Sequence, residues 1–515
     1  MDDKDENADK KMGPMNSFYD LWVFTSWGLI FLTESMWYEQ LYSSVITVGC
    51  VVITMFTMLP VNLIETGHKH RRYMGSYMII QNKRDWNLTG NMYKVQGLES
   101  IPSESSSSQL TMEAHAVVRS KIDCLEPFVI SGRINDWKAI GWTHQRLAEI
   151  VKPTEKNGFL RIRLGPKEHV RGKIIFENES KMAYISNLEQ FFKWFSGEAT
   201  MVADDERIVD RANHWGYFDY NYVFDIMDPE NINDISWRHL GLDVSPVDST
   251  IWIGTPGAHT PCHYDSYGYN VHAQLSGSKR WILFEPGENM RPARIPYEES
   301  TVFSSLDVIG ADSSLQGKNI RMVTLRKGDV IFVPPGWWHC VQCVGINDNE
   351  NDMNNISVSV NTWIPLVDYD RVPRLQEAAT STIVAILIQS GLISSKQICL
   401  SESIGCYTDL LCDFEKLLKE TKNEATSDES LRRMMDFIEK QKKRMRVLPI
   451  VLFADFRAEQ EKGPLKIIDS SDDSVCPSNS TNSSSSITSF QKHFIDSLLS
   501  EKVLTTLIAK LQEWT

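Results

Sequence analysis

Between Ser249 and Trp363 the chain is a succession of short apolar runs cut by glycine and proline. The runs are "STIWIG" from Ser249, "VHAQLSG" from Val271, "RWILFEP" from Arg280, "DVIFVPP" from Asp329, "WHCVQCV" from Trp338 and "ISVSVNTW" from Ile356. Each is rich in β-branched and aromatic residues. The turn signals TPG, SGS, EPG, KGD and PPG lie between them. Many short strands at close spacing predict a β-barrel or sandwich. Upstream, "EPFVISGRINDWKAIGWTHQRLAEIV" predicts a strand at Phe128–Ile130 and a helix opened by Thr143. After Val372 the apolar spacing lengthens to three and four residues. "RLQEAATSTIVAILIQSGL", "CYTDLLCDFEKLLKETK" and "DESLRRMMDFIEKQKKRMRVLPIVLFADFRAEQEK" therefore read as helices. The expected class is mainly β with α.

The same patterning divides the chain. Residues 1–110 form an atypical leader that closes with the Ser-rich linker "SESSSSQ". Within it, the 24 positions from Leu41 to Ile64 carry no charge and are long enough to span a bilayer, and the basic "HKHRR" follows. A true span would anchor the protein with everything after it on the cytosolic side. Without one, a cytoplasmic or nuclear protein is expected. Residues 111–370 hold the β-domain, 371–465 a helical extension, 466–489 a Ser/Thr-rich disordered linker and 490–515 a helical tail. In that tail Leu504, Leu507, Ile508 and Leu511 share one face. Docking of this face on the body is the first expectation, and a homodimer seam the second.

Charge and cysteine narrow the class. The balance of 53 basic and 67 acidic residues, net −14, argues against a phosphate backbone as partner. Nine cysteines along 515 residues suit a reducing compartment better than a disulfide framework. Cys340 and Cys343 form a CxxC with no second pair, so zinc is not expected there.

The chemistry concentrates in "HTPCHYDSYGYN", His259 to Asn270. Pro261 between the two histidines excludes a helical zinc pair and favours extended backbone. On a strand, His263 and Asp265 share one face, with Cys262 and Tyr264 on the other. A third ligand is at hand in His339, which begins a strand after a Pro-Pro-Gly turn. Two histidines and a carboxylate leave three metal positions open, as non-haem Fe(II) and O₂ chemistry requires. Zinc more often keeps a single open position. A metal of this kind needs a chelating cosubstrate such as 2-oxoglutarate. Lys279, at the head of "KRWILF", and Thr260 would clamp its far carboxylate.

Taken together, "TPCHYD", Lys279-Arg280-Trp281, Gly328-Asp329, Pro334, Trp337-Trp338-His339 and Val360-Asn361-Thr362-Trp363 resemble the JmjC, cupin-like 2-oxoglutarate oxygenases. The layout is similar to the branch of protein asparaginyl hydroxylases. "PGAHTPCHYDSYG" and "RIPYEESTVFS" are similar to a JmjC branch named for association with a small heat shock protein. The resemblance covers about residues 112–370 and implies a double-stranded β-helix barrel. It implies Fe(II) on His263, Asp265 and His339. It also implies 2-oxoglutarate on Lys279, Thr260 and Tyr217, with Tyr220 or Tyr222 as alternatives to the last, and Asn270 and Asn361 along the pocket. His272 reads as pocket wall or core. The implied activity is oxygenation of a protein substrate: O₂ is consumed, 2-oxoglutarate leaves as succinate and CO₂, and a C–H bond is hydroxylated. Demethylation is the same chemistry on a methyl group. Two rivals stand beside it. One is a non-catalytic adaptor that binds a small heat shock protein in stress responses. The other is a zinc hydrolase on the same barrel.

Overall fold

A computed structural model describes residues 122, 125–153, 158–347, 349, 352–391, 406–423, 429–469 and 489–514. The leader, its uncharged run 41–64 and the linker before the β-domain lie outside the described residues. Among the described residues, no helix is long and apolar enough to cross a membrane.

The strands run in chain order β1 (Phe128–Ser131), β2 (Leu160–Pro166), β3 (Glu168–Val170), β4 (Lys181–Ile185), β5 (Met201–Val202), β6 (Ile208–Val209) and β7 (His214–Tyr222). Then come β8 (Thr250–Gly254), β9 (His259–Asp265), β10 (Tyr269–Ser276), β11 (Ser278–Phe284), β12 (Pro292–Glu298) and β13 (Thr301–Ser304). Next are β14 (Ile320–Arg326), β15 (Asp329–Val333), β16 (Trp338–Val344) and β17 (Ser357–Ile364), with β18 (Arg446–Val447), β19 (Ile450–Val451) and β20 (Lys466–Ile468) in the extension. One sheet has the order β18-β1-β15-β10-β17-β8-β7-β2-β4, the other β12-β13-β9-β16-β11-β14-β19. The consecutive strands β8, β9, β10 and β11 alternate between the two sheets, as do β14, β15, β16 and β17. That alternation is the double-stranded β-helix, with β12 and β13 inserted at its middle.

Side-chain period explains which face is which. On β10, Tyr269, Val271, Ala273 and Leu275 join the large core outside the nine-stranded sheet. Asn270 and His272, on the opposite face, line the barrel interior. On β17, Val358 and Val360 pack outward, while Asn361 and Trp363 line the interior. The barrel is thus polar inside at one end. A second apolar cluster containing Trp281, Leu283, Ile331, Val333, Trp337 and Val341 fills the rest.

Helix α1 (His144–Ile150) starts where Thr143 was read as its opener, and the Thr143 hydroxyl accepts from the Arg146 amide at 3.1 Å. Helix α2 (Leu188–Ser196) follows β4. The extension is built on α3 (Val367–Gln389), α4 (Tyr407–Asn423) and α5 (Glu429–Gln441), then α6 (Phe453–Glu461). The long run from Asp428 is therefore not one helix. It breaks at "RVLPIV", where Pro449 removes a donor and β-branched neighbours favour extended chain. There β18 pairs with β1 and β19 with β14, so this segment closes one edge of each sheet. Lys466–Ile468, placed by sequence in the disordered linker, pairs parallel with Glu168–Val170.

The tail forms α7 (Ser489–Leu498) and α8 (Glu501–Trp514). Leu504 and Ile508 of α8 are buried with Leu375 and Ala379 of α3 and Phe414 and Leu418 of α4. Leu511 packs against them in part, while Leu507 stays exposed. Docking on the body, the first expectation for the tail, is what the described residues show.

The extension is bolted to the barrel by a buried ion pair. Arg294 Nη2 of β12 donates to Glu377 Oε2 of α3 at 2.7 Å, and the Ser300 amide donates to the same oxygen at 3.0 Å. Both side chains are buried. Removing one partner leaves a buried charge uncompensated, which typically costs about 3–5 kcal/mol. Glu377→Ala should lower unfolding stability by that order in a denaturant titration. A change below about 1 kcal/mol would show that water or another carboxylate replaces Glu377.

Candidate active site

The sequence places two ligand candidates on β9 and one on β16, and the sheet brings them together. His263 and His339 are directly opposed across the β9–β16 ladder, with ring centroids 4.3 Å apart. Asp265 lies two residues on, on the same face of β9. His263, Asp265 and His339 are buried, and one ligand atom from each falls within 4.8 Å of the others. Cys262 points away into an apolar cluster, as strand alternation requires.

Backbone carbonyls set the tautomers. His263 Nδ1 donates to the Pro261 carbonyl at 2.8 Å, and His339 Nδ1 to the Trp337 carbonyl at 2.9 Å. Each imidazole therefore turns its Nε2 lone pair to the common centre. Burial, then the neighbouring His339, lowers the His263 pKa below the ordinary histidine range, so the ring is neutral and ready to ligate. Asp265 is oriented as firmly. Its Oδ2 accepts from Asn270 Nδ2 at 3.1 Å and from Trp363 Nε1 at 3.0 Å. Oδ1 faces His263 Nε2 at 3.9 Å. The set offers two imidazole nitrogens and one carboxyl oxygen from one side, which fits an octahedral divalent ion with a facial triad.

Asn270 and Asn361, expected along the cosubstrate pocket, do line it. Their amides are nevertheless committed to one another and to Asp265. Trp252 Nε1 donates to Asn361 Oδ1 at 2.8 Å, and Asn361 Nδ2 donates to Asn270 Oδ1 at 3.1 Å. This relay was beyond sequence reasoning, since it crosses β8, β17 and β10 before it reaches β9.

The same pocket contains Lys279, Tyr217 and Thr260. Lys279 is 1% exposed, and Nζ donates to Tyr217 Oη at 3.1 Å. The Tyr217 and Trp252 rings lie 5.4 Å from the ammonium. Burial lowers the Lys279 pKa to about 8. The Tyr217 hydroxyl also bonds Thr260, and burial holds its pKa well above the ordinary tyrosine value. The structure thus selects Tyr217 as the lysine's partner. Tyr220 and Tyr222 line the pocket as well, at odds with simple alternation from Tyr217. The reason is a bulge. The β7–β8 register shifts between Phe218 and Asn221, and Tyr220 takes a left-handed φ of 55°. Tyr220 Oη then donates to Glu177 Oε1 at 3.0 Å. Behind Tyr217, Arg163 is held by Asp219 at 2.5 Å and Glu177 at 3.8 Å.

The mouth was not anticipated. Glu298, Glu299, Ser300 and Thr301, from the β12–β13 turn, line it. Burial, then Glu177 and Glu299, pushes the Glu298 pKa up to about 8. "YEEST" does carry these acids in sequence, but nothing local says that the turn faces the triad. Cys340 and Cys343 are buried free thiols, and among the described residues the His263-Asp265-His339 group alone has metal-site geometry.

Comparison with known proteins adds the family. Residues 116–365 match the cupin-like domain family. HSPB1-associated protein 1 of Bos taurus is 35% identical over 277 residues, 52% of this chain and 54% of that protein. Its counterpart from Homo sapiens is 33% identical over 272 residues, 51% of this chain and 52% of that protein. The 2-oxoglutarate and iron-dependent oxygenase JMJD4 of Homo sapiens is 26% identical over 136 residues, 25% of this chain and 32% of that protein. The chain matches about half the length of the first two relatives.

Two variants test the centre. His263→Ala should abolish stoichiometric binding of Fe(II) or Co(II). Asn270→Ala removes one of the two bonds that aim Asp265, and should weaken metal binding by about 10–100-fold. Anaerobic metal titrations of folded protein read both. Unchanged affinity in Asn270→Ala would remove the orienting role.

Proposed function

Residues 116–365 being a cupin-like JmjC domain, we propose that the chain is an Fe(II)- and 2-oxoglutarate-dependent oxygenase that acts on a protein side chain. The observation that carries this reading is Lys279. It is a fully buried ammonium whose hydrogen bond, among the described residues, goes to a neutral phenol, in the pocket that holds the donor triad. Asp219 acts on it only from beyond ion-pair distance and is held by Arg163, and a buried cation so weakly compensated is costly. A ligand with a metal-chelating end and a distal carboxylate supplies the missing charge, and 2-oxoglutarate has that form.

When bound, iron and 2-oxoglutarate supply the oxidising chemistry: O₂ and the keto acid are consumed, succinate and CO₂ leave, and one oxygen atom enters a C–H bond. The protein residues hold and shield. Lys279, Tyr217 and Thr260 present an ammonium and two hydroxyls to the distal carboxylate. His263 and His339 keep their Nε2 atoms aimed at the metal through their own backbone carbonyls. Asn270 and Trp363 restrict Asp265 to one free oxygen. Trp252, Trp281, Val341 and Trp363 supply apolar wall that excludes water. Glu298 and Glu299 at the mouth offer a phosphate backbone no cation, and the net charge of −14 argues the same way, which supports a protein side chain as the substrate. Hydroxylation and demethylation share every residue named here. The names of the HSPB1-associated relatives support a small heat shock protein as partner. In the adaptor reading that partner stays and the chemistry is dropped.

Purified protein with Fe(II), 2-oxoglutarate and O₂ should form succinate, and His263→Ala should not. Tight partner binding with neither cosubstrate binding nor succinate would favour the adaptor.

A pH profile tests the clamp. The pKa of Lys279 is lowered to about 8, so in the free protein the ammonium is present below pH 8 and lost above it. Affinity for 2-oxoglutarate should hold from pH 7 to 8, then fall by about tenfold per unit until the bound-state limit, with proton uptake on binding. Anaerobic calorimetry at a series of pH values reads both quantities. A flat profile to pH 9.5 would take the clamp away from Lys279.

A further inference from the structure

We propose that His272 is a direct cosubstrate contact, donating an Nε2–H hydrogen bond to 2-oxoglutarate beside Lys279 and His339. This rests on the oxygenase reading and goes beyond the triad and the lysine clamp. His272 is 4% exposed and lines the pocket that contains both. Its Nε2 is buried and has no hydrogen-bond partner. Native structures rarely leave such an atom without a partner, and here the pocket is the space from which a partner can come.

The neighbours cannot satisfy it. In the sheet His272 stands opposite Ile331 on one side and Asn361 on the other. Ile331 is apolar, and the Asn361 amide is committed to Trp252 and Asn270. Trp281 meets the imidazole at 5.0 Å and 71°, which fixes the ring without offering an acceptor atom. His339 is turned towards the metal centre. Lys279 Nζ is turned to Tyr217 Oη and makes no bond to this nitrogen.

The ring is also neutral. Burial, then Lys279 and His339, hold its pKa well below the ordinary histidine value. A neutral imidazole keeps one N–H and pays no charge penalty. A ligand carboxylate, an acceptor without donors, is its natural complement. The position follows from strand period. Asn270 and His272 are two apart on β10 and share its inner face, so the strand that orients Asp265 also presents this donor. His272 is not in the donor group within ligating reach of the metal centre.

The test uses the full chain loaded with Zn(II), as a redox-silent and diamagnetic metal, under anaerobic conditions. His272→Phe keeps ring volume and removes the N–H, and His272→Asn restores a donor. We expect calorimetry to show 2-oxoglutarate binding at least tenfold weaker in His272→Phe and partly recovered in His272→Asn, with metal affinity unchanged in both. In the wild type, the Nε2 nitrogen resonance should shift when 2-oxoglutarate is added. Equal 2-oxoglutarate affinity in wild type and His272→Phe, or loss of metal in place of cosubstrate, would overturn the assignment. If wild-type protein binds no 2-oxoglutarate while holding metal, the oxygenase reading itself falls, and this contact with it.

Discussion

A lysine with 1% of its surface exposed, its ammonium bonded to one phenol, is the constraint around which the pocket is arranged. Such a charge raises the energy of the empty pocket and lowers that of a pocket holding an anion. The fold tolerates it through aromatic faces, with Tyr217 and Trp252 each 5.4 Å from the ammonium. Nearby the protein compensates a second buried cation quite differently. Arg163 is enclosed by Asp219, Glu177 and the His259 carbonyl, the last accepting at 2.8 Å. Arg163 has direct ion pairs within the chain, whereas Lys279 has only Asp219 at longer range. That contrast is what the proposed ligand role of Lys279 rests on.

The double-stranded β-helix makes this arrangement affordable in backbone terms. Because consecutive strands cross between sheets, the inner faces of β9, β10, β11, β16 and β17 look into one space. Lys279 and Leu283 sit on one face of β11, and their register partners on β16 are Cys343 and His339. The level of His339 and the level of Lys279 are therefore four residues of strand apart, about 13 Å along the chain direction. Side chains reaching inward from both levels shorten that span. A helix surface could not hold both ends so rigidly, because its side chains diverge where a barrel's inner faces converge.

How much of this was legible follows from how local each signal is. His263 and Asp265 were readable because a proline fixed the strand and two-residue spacing fixed the face. His339 was readable because a Pro-Pro-Gly turn announced the start of β16. Lys279 stood at a strand head, but its burial is a property of two sheets. The Asn270–Asn361–Trp252 relay, the orphan nitrogen of His272 and the acidic turn at Glu298 were not readable, for they depend on which strands become neighbours. The choice among Tyr217, Tyr220 and Tyr222 was hidden by a bulge that changes the alternation in mid-strand. The helical extension misled differently. Its apolar spacing ran smoothly through Pro449, and only the pairing of β18 and β19 with open sheet edges shows why the helix stops.

The extension reaches the pocket more directly than a C-terminal appendage would. Glu377 of α3 accepts from Arg294 and from the Ser300 amide, and Arg294 Nη1 donates to the Thr301 carbonyl at 3.0 Å. Ser300 and Thr301 are themselves pocket wall. Asp370, also on α3, accepts from the Gly268 amide at 2.9 Å, three residues past Asp265 of the donor triad. The helix therefore grips both turns that flank the mouth, one on each side of the triad. Helix α7 adds a third grip, since Asp496 accepts from the Arg294 amide at 3.1 Å and Ile495 packs on Ile295 and Tyr297. A displacement of α3 would move the acidic turn and the loop after Asp265 together, and one of α7 would move β12. The helices that complete the fold are thus also the frame that holds the pocket mouth.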